Sequence, residues 1–185
     1  MDESIRSFLK KATWLAIVIF IVQFRLSFLR HAPRSFFDQA GVAVGLTTIL
    51  MGVYERWLWR FCPLEKTPKL CNRYTGKITY SYAGNRTEKE IAIEIKQSLL
   101  AISIKIITDE ITSNSINSKL VIENGEHVLY YVYITNPKGL YSEGNPIQYG
   151  ACRLVLDGKQ TLRGIYWTSR KNIGDIVFSD ISRVA

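Results

Sequence analysis

The pattern of apolar and polar positions changes near residue 72. Two long apolar runs, at 12–24 and 40–54, precede this point, and basic or aromatic residues flank both runs. Each strictly apolar core is shorter than the roughly 20 residues that cross a bilayer, but the flanking side chains extend both runs to a spanning length. The pattern predicts a transmembrane helical hairpin over residues 1–60, with helices at about 9–29 and 36–59.

A cleaved signal peptide and buried soluble helices are the other interpretations of these runs. No small-x-small cleavage site follows the first run, and two such runs joined by RHAPRS argue against soluble helices. Seven basic residues on the outer flanks and three in the connecting loop predict that both termini lie in the cytoplasm. Gly41 and Gly45 are spaced for close packing between membrane helices.

After a linker at 61–72 that contains two prolines, the apolar period becomes two, which is the period of a β-strand. No helical pattern interrupts the rest of the chain, so residues 73–185 are predicted to form an all-β domain. The eight predicted strands are 74–82, 90–96, 99–107, 116–123, 126–135, 146–156, 160–168 and 174–181. A sandwich is compatible with these strands, but sequential hairpins favour a closed up-and-down barrel of the lipocalin-like type, which has no edges.

Two connections have the composition of tight hairpin turns. Asn124-Gly125 is the preferred two-residue loop and predicts that Glu123 pairs with Glu126. Asp157-Gly158 suits a three-residue loop. The pairs predicted for this second hairpin are Leu156 with Gln160, Leu154 with Leu162, and Cys152 with Gly164.

Alternation along the strands also predicts where a ligand would bind. The connections at 83–89, 108–115, 136–145 and 169–173 are predicted to be long and to meet at one rim, where binding residues are favoured. Aromatic rings with Thr and Arg donors suit a nucleobase and its phosphate, although ordinary filling of the barrel by tyrosines is the alternative. The predicted binding residues are Tyr80, Tyr82, Tyr131, Tyr133, Tyr166, Thr168, Arg170 and Lys171.

Charge and composition narrow the possible functions. Of the net charge of +8, residues 1–72 carry +5 (ten basic, five acidic), which suits anionic lipid headgroups and does not by itself indicate nucleic acid. The odd number of cysteines, three, without metal-type spacing predicts a reducing compartment and no disulfide framework. Neither His31 nor His127 has a His or Cys partner at ligand spacing, so no metal site is predicted. No catalytic motif is recognisable, so no catalytic residue is predicted.

The two apolar runs, the Pro-containing linker, the YTG at 74–76 and the ending LRGIYWTSRKNIGDIVF at 162–178 resemble one bacterial family. It comprises the membrane-anchored effectors of CBASS anti-phage defence with two transmembrane helices and a β-strand-rich sensor domain, the CD-NTase-associated protein fifteen type. The resemblance covers essentially the whole chain. It is most specific at Gly164-x-Tyr166-x-Thr168-x-Arg170, whereas Tyr74 stands where the family often has Trp.

This resemblance implies a function in signalling and toxicity. A cyclic dinucleotide, made by a partner nucleotidyltransferase (a CD-NTase) during infection, would be captured by the barrel. The chain would then oligomerise through its membrane helices and breach the bacterial inner membrane, with the barrel in the cytoplasm. The resemblance implies no bond chemistry in the effector, no cofactor apart from this ligand, and no DNA or RNA partner.

Two other functions are compatible with the sequence. A membrane-tethered, lipocalin-like carrier of a lipid or other apolar ligand fits the apolar inner faces of most strands. A small channel or scaffold subunit would bind no ligand. Arg170, Lys171 and the polar rim residues fit an anionic ligand better than an apolar one.

Overall fold

A computed structural model describes residues 3–29, 35–82, 85–141, 143, 146–158 and 161–180. The chain divides into two compact units. One unit comprises residues 1–66 and 98–100, and the other comprises residues 67–97 and 101–185.

The first unit is built on two long helices. Helix α1 spans Glu3–Leu29 and helix α2 spans Phe36–Arg56, followed by a 3₁₀ turn at Leu58–Phe61. Both helices are long and apolar enough to cross a membrane. Helix α1 begins at Glu3, earlier than the apolar pattern indicated, because the polar first turns continue the helix ahead of the apolar run.

The two helices pack against each other along one narrow seam of α2. The buried side chains of α2 recur every four residues, which places them on one face. At one end of the seam the rings of Phe20 and Phe36 meet edge to face, with 5.3 Å between their centroids. The seam residues of α2 are Gln39, Ala43, Thr47 and Met51.

A polar cluster joins the end of the hairpin to the start of the linker. The Glu65 carboxylate forms an ion pair with the Lys11 ammonium group and accepts a 2.5 Å hydrogen bond from the Tyr54 hydroxyl. The linker up to residue 66 therefore belongs to the helical unit.

The second unit is a closed antiparallel barrel whose eight strands follow one another in sequence order, as predicted. Strand β1 pairs with both β2 and β8, which closes the barrel. The strands are β1 Arg73–Tyr82, β2 Asn85–Gln97, β3 Ile102–Ile107, β4 Ile111–Glu123, β5 Glu126–Pro137, β6 Tyr149–Asp157, β7 Thr161–Thr168 and β8 Ile173–Asp180.

The sequence predicts long connections at one rim of the barrel, and most of these connections are shorter than predicted. Residues 85–89 belong to β2 and residues 111–115 to β4, so only the connection at 138–148 is long. The sequence pattern predicts loops in these polar stretches because apolar alternation fades near a solvated rim. The backbone ladder does not require apolar side chains and continues to the rim.

The two hairpin predictions had different outcomes. Asn124 and Gly125 have φ values of 50° and 84°, and Glu123 pairs with Glu126, as predicted. In the second hairpin the predicted register is wrong by two residues, because Asp157 remains in the strand and pairs with Thr161.

In the observed register of the second hairpin each residue has a different partner from the predicted one, but it lies on the predicted face of the sheet. A shift of two residues preserves the inward side of every residue, so the predicted inner face is correct. The observed pairs are Leu156 with Leu162, Leu154 with Gly164, and Cys152 with Tyr166. The predicted partner Gln160 lies outside the described residues.

The linker closes the end of the barrel that contains the 124–125 turn. Leu70 is only 2% exposed and belongs to the buried core of the barrel. Its N–H donates a 2.9 Å hydrogen bond to Gln97 Oε1, and Gln97 Nε2 donates one of 2.9 Å to the Pro68 carbonyl. Residues 68–71, here called the plug, therefore belong to the barrel even though their composition is that of a linker.

Candidate ligand-binding site

The opposite end of the barrel, bounded by the connections that follow β1, β3, β5 and β7, is here called the mouth. Inward-facing tyrosines occupy it on three strands. Tyr131 and Tyr133 on β5 are 2% and 5% exposed, and their ring centroids lie 5.8 Å apart. Tyr166 on β7 is also buried, whereas Tyr80 on β1 is half-buried. Tyr131, Tyr133 and Tyr166 belong to the buried core, so they form the floor of the mouth.

Two glycines leave the space that the rings of Tyr133 and Tyr166 occupy. A Cβ atom placed on Gly150 would lie 2.3 Å from Tyr133 Cζ, and one on Gly174 would lie 2.5 Å from Tyr166 Cε1. Gly174 pairs with Tyr80 on one side and with Tyr166 on the other. The missing side chains therefore let tyrosine rings lie directly over the neighbouring backbone.

Thr168 lies at the end of β7, opposite Gly150. Its Oγ1 atom is buried and has no hydrogen-bond partner in the part of the chain that the structure describes. A buried hydroxyl without a partner costs free energy, so a ligand group that bonds to Thr168 recovers that cost.

Arg170 and Lys171 are exposed in the turn between β7 and β8. The turn is closed by a 3.0 Å hydrogen bond from the Lys171 N–H to the Thr168 carbonyl and another of 3.0 Å from the Thr168 N–H to the Asn172 carbonyl. Lys171 has a positive φ of 62°, the left-handed conformation that three-residue hairpin loops require. Both cations therefore lie at the rim and not inside the barrel.

The structure thus brings Tyr80, Tyr166 and Thr168 together, with Arg170 and Lys171 on the adjoining turn. The backbone of Tyr82 ends β1, but its side chain lies outside the described residues.

Polar residues that the sequence pattern did not predict lie at the same end of the barrel. Thr135 Oγ1 and the backbone of Gln148 exchange hydrogen bonds of 3.0 and 3.2 Å, and both residues are buried. Ser113 on β4 is also buried, and Thr87 on β2 is half-buried. Continuing the alternation of Ile91, Ile93 and Ile95 backwards along β2 would have placed Thr87 inward.

Burial raises the pKa of the buried tyrosines at the mouth. Desolvation, followed by the neighbouring Tyr80, raises the pKa of Tyr166 to about 12. Burial likewise raises the pKa of Tyr133, and it raises the pKa of the Cys152 thiol to about 12. Tyr133 and Tyr166 therefore remain neutral hydroxyl donors well above neutral pH, and lysine and arginine side chains carry the positive charge around the mouth.

These groups suit a ligand that has both flat rings and anionic groups. Aromatic side chains stack on bases, and arginine and lysine bind phosphates through charge-assisted hydrogen bonds. Among the described residues, no group of three or more His, Cys, Asp or Glu side chains is placed to hold a metal ion.

Comparison with known proteins identifies the family. A family model described as the cyclic dinucleotide receptor domain of Cap15 matches residues 65–179. CD-NTase-associated protein 15 of Staphylococcus schleiferi is 33% identical over 179 residues, which cover 95% of this chain and 97% of that protein.

The chain belongs to the Cap15 family. The CBASS resemblance seen in the sequence is therefore confirmed, and the chain carries a cyclic dinucleotide receptor domain. The matched residues include the plug, strands β1 to β7 and all of β8 except its last residue. The Cap15 receptor domain is thus the barrel together with the segment that closes it.

Proposed function

We propose that the chain is a membrane-anchored CBASS effector whose barrel captures a cyclic dinucleotide at the mouth. Capture favours an assembled state, and the assembled membrane helices breach the bacterial inner membrane and kill the infected cell. The barrel lies in the cytoplasm, where a cognate CD-NTase supplies the ligand. The effector itself binds and assembles and performs no bond chemistry.

The observation that carries this proposal is the combination of groups at the mouth of a barrel in the Cap15 receptor family. Tyr80 and Tyr166 supply rings, these two residues and Thr168 supply hydroxyls, and Arg170 and Lys171 supply positive charge at the rim. A cyclic dinucleotide has two bases and two phosphates, and the arrangement offers partners for both kinds of group.

The proposal of a membrane anchor is supported by the apolar surface that the helices expose. Within the helical unit, Trp14 is 69% exposed, Phe28 78% and Phe37 83%. Large exposed apolar surfaces mark membrane or protein contacts, and the lengths of both helices suit a bilayer. The excess of basic residues on the outer flanks favours cytoplasmic termini.

Assembly through α2 is supported by the position of its glycines. The seam with α1 runs through Ala43 and Thr47, and Gly41 and Gly45 are exposed. A Cβ atom placed on either glycine meets no described atom within 4 Å outside the helix's own turns. A smooth, unoccupied strip of helix is where the α2 of a second copy can approach closely.

Titration of the barrel with cyclic dinucleotides and with fatty acids tests the ligand class. Saturable binding of one or more cyclic dinucleotides, without fatty-acid binding, supports the proposal. Binding of fatty acids alone would show that the chain is a lipid carrier.

Replacing both Gly41 and Gly45 with Leu is expected to leave cyclic dinucleotide affinity unchanged and to abolish membrane leakage. The added side chains hold neighbouring α2 helices apart, while the barrel is untouched. Affinity is measured by calorimetry on the full-length protein in detergent, leakage by release of dye from vesicles, and assembly by light scattering.

The matched control replaces Val42 and Val44 with Leu, since these neighbouring side chains are exposed on the same helix and already apolar. Leakage should survive in this control. A double glycine variant that binds ligand, remains at one size and still permeabilises vesicles would show that assembly through α2 is not the mechanism.

A further inference from the structure

Lys89 on β2 occupies an inward-facing position near the mouth. Exposure alternates from residue 86 to residue 91, with the odd-numbered residues more buried, and Lys89 shares its side with the buried Ile91 and Ile93. It pairs across the ladder with Ile78, which also faces the core. Within the described strands, Lys89 is the one Lys or Arg that the alternation places on the inner side.

Lys89 is held by an acidic partner from the neighbouring turn. Its Nζ atom lies 2.8 Å from Glu110 Oε1, and the two side chains are 26% and 39% exposed. Glu110 ends the short connection between β3 and β4, at the same rim as Arg170. The ammonium group is therefore partly shielded from water and already paired with an anion.

The backbone around Glu110 is fixed by Lys138 on the far side of the turn. The Lys138 N–H donates a 2.9 Å hydrogen bond to the Glu110 carbonyl. Its Nζ donates to the carbonyls of Thr108 at 3.2 Å and Asp109 at 2.7 Å. The turn is thus anchored by main-chain contacts, and the Glu110 side chain can leave Lys89 without unfolding the turn.

We propose that Lys89 binds a phosphate of the ligand and that the Glu110 carboxylate occupies the place of that phosphate until the ligand arrives. This inference rests on the proposed binding site at the mouth. A carboxylate and a phosphate both accept charge-assisted hydrogen bonds from an ammonium group, so one can replace the other on Lys89. The pair is therefore a competitor built into the site.

The position of Lys89 complements that of Arg170. Strands β8 and β1 separate the Arg170 turn from β2, so the two cations lie on different parts of the mouth. A cyclic dinucleotide has two phosphates on opposite sides of its ring. One phosphate can bind at the Arg170 turn and the other at Lys89, and a ligand with a single phosphate can use only one of these positions.

The experiment measures the affinity of full-length protein in detergent for cyclic di-AMP, cyclic di-GMP and mixed purine–pyrimidine cyclic dinucleotides. With the probe that binds best, Lys89→Gln should weaken binding about tenfold or more. Glu110→Gln should strengthen it about two- to fivefold, the range expected for losing a partly exposed competing ion pair. In the Lys89→Gln background, Glu110→Gln should have no further effect.

Two control variants separate this exchange from a general change of charge. Asp109→Asn removes one negative charge from the residue next to Glu110, and Lys105→Gln removes one positive charge from an outward-facing, exposed position on β3. Neither should change the affinity appreciably. Circular dichroism and melting temperature establish that each variant is folded.

The outcomes distinguish this inference from the proposed function. If the wild type binds and Lys89→Gln binds equally well, or if Glu110→Gln and Asp109→Asn change the affinity equally, the exchange is refuted and the ligand class stands. If the wild type binds none of these cyclic dinucleotides, both the ligand class and the role of Lys89 are refuted.

Discussion

Leu70→Ala is expected to lower the free energy of unfolding of the barrel by about 2–5 kcal/mol, the range for truncating a buried leucine. Leu70 is 2% exposed and packs in the core although it precedes the first strand. The change leaves a cavity at the closed end and weakens the plug. Chemical denaturation of residues 67–185, followed by circular dichroism, measures the difference.

Ile122→Ala is the matched control, since it removes the same number of carbon atoms from a side chain that is 67% exposed. Its cost should be well under that of Leu70→Ala. A barrel that begins at residue 73 should still fold, but it should be less stable than one that begins at residue 67. Equal stability of those two barrels would show that the plug contributes nothing to the fold.

Arg170→Ala is expected to weaken cyclic dinucleotide binding by about 1.5–3 kcal/mol, the range for a hydrogen bond to a charged group. This corresponds to a loss of roughly 10- to 150-fold in affinity. Arg170 is exposed at the rim, so the melting temperature should not change. Calorimetric titration of the purified protein measures the affinity.

Arg163→Ala removes the same charge from β7, the strand that leads into the Arg170 turn, and serves as the control. Arg163 is exposed on the outer side of β7, where it forms an ion pair with Asp157. Its removal should leave the affinity nearly unchanged. Equal losses in the two variants would indicate a long-range effect of charge, and an unchanged Arg170→Ala would move the phosphate contact to Lys171 or Arg86.

Strand alternation predicted the architecture because it depends on burial, which the sequence records directly. Ile91, Ile93 and Ile95 mark the inner face of β2 without ambiguity, and Asn124-Gly125 fixes one register by its backbone preference. The sequence pattern does not indicate how deep inside the barrel a residue lies. Alternation gives the side on which a tyrosine lies, but it does not distinguish the buried Tyr131 from the more accessible Tyr80.

Some residues have surroundings that the local composition of the sequence does not predict. Leu70 lies in a segment with two nearby prolines, a composition that predicts a linker. Only its contacts with the core reveal the plug. Thr87 and Lys89 fall within a predicted loop because the residues around them are polar. Their inward positions depend on the length of β2, which is set by pairing with β1.

The contrast between the apolar, plugged end and the polar mouth has a consequence for local unfolding. Amide hydrogens near Ile95 and Leu154 should exchange with solvent only when the whole barrel unfolds, since these residues are fully buried in the core. Amides near Thr87, Thr168 and Asn172 should exchange through smaller openings of the mouth. A ligand bound there would slow the second group selectively, so hydrogen exchange can locate the binding site without any substitution.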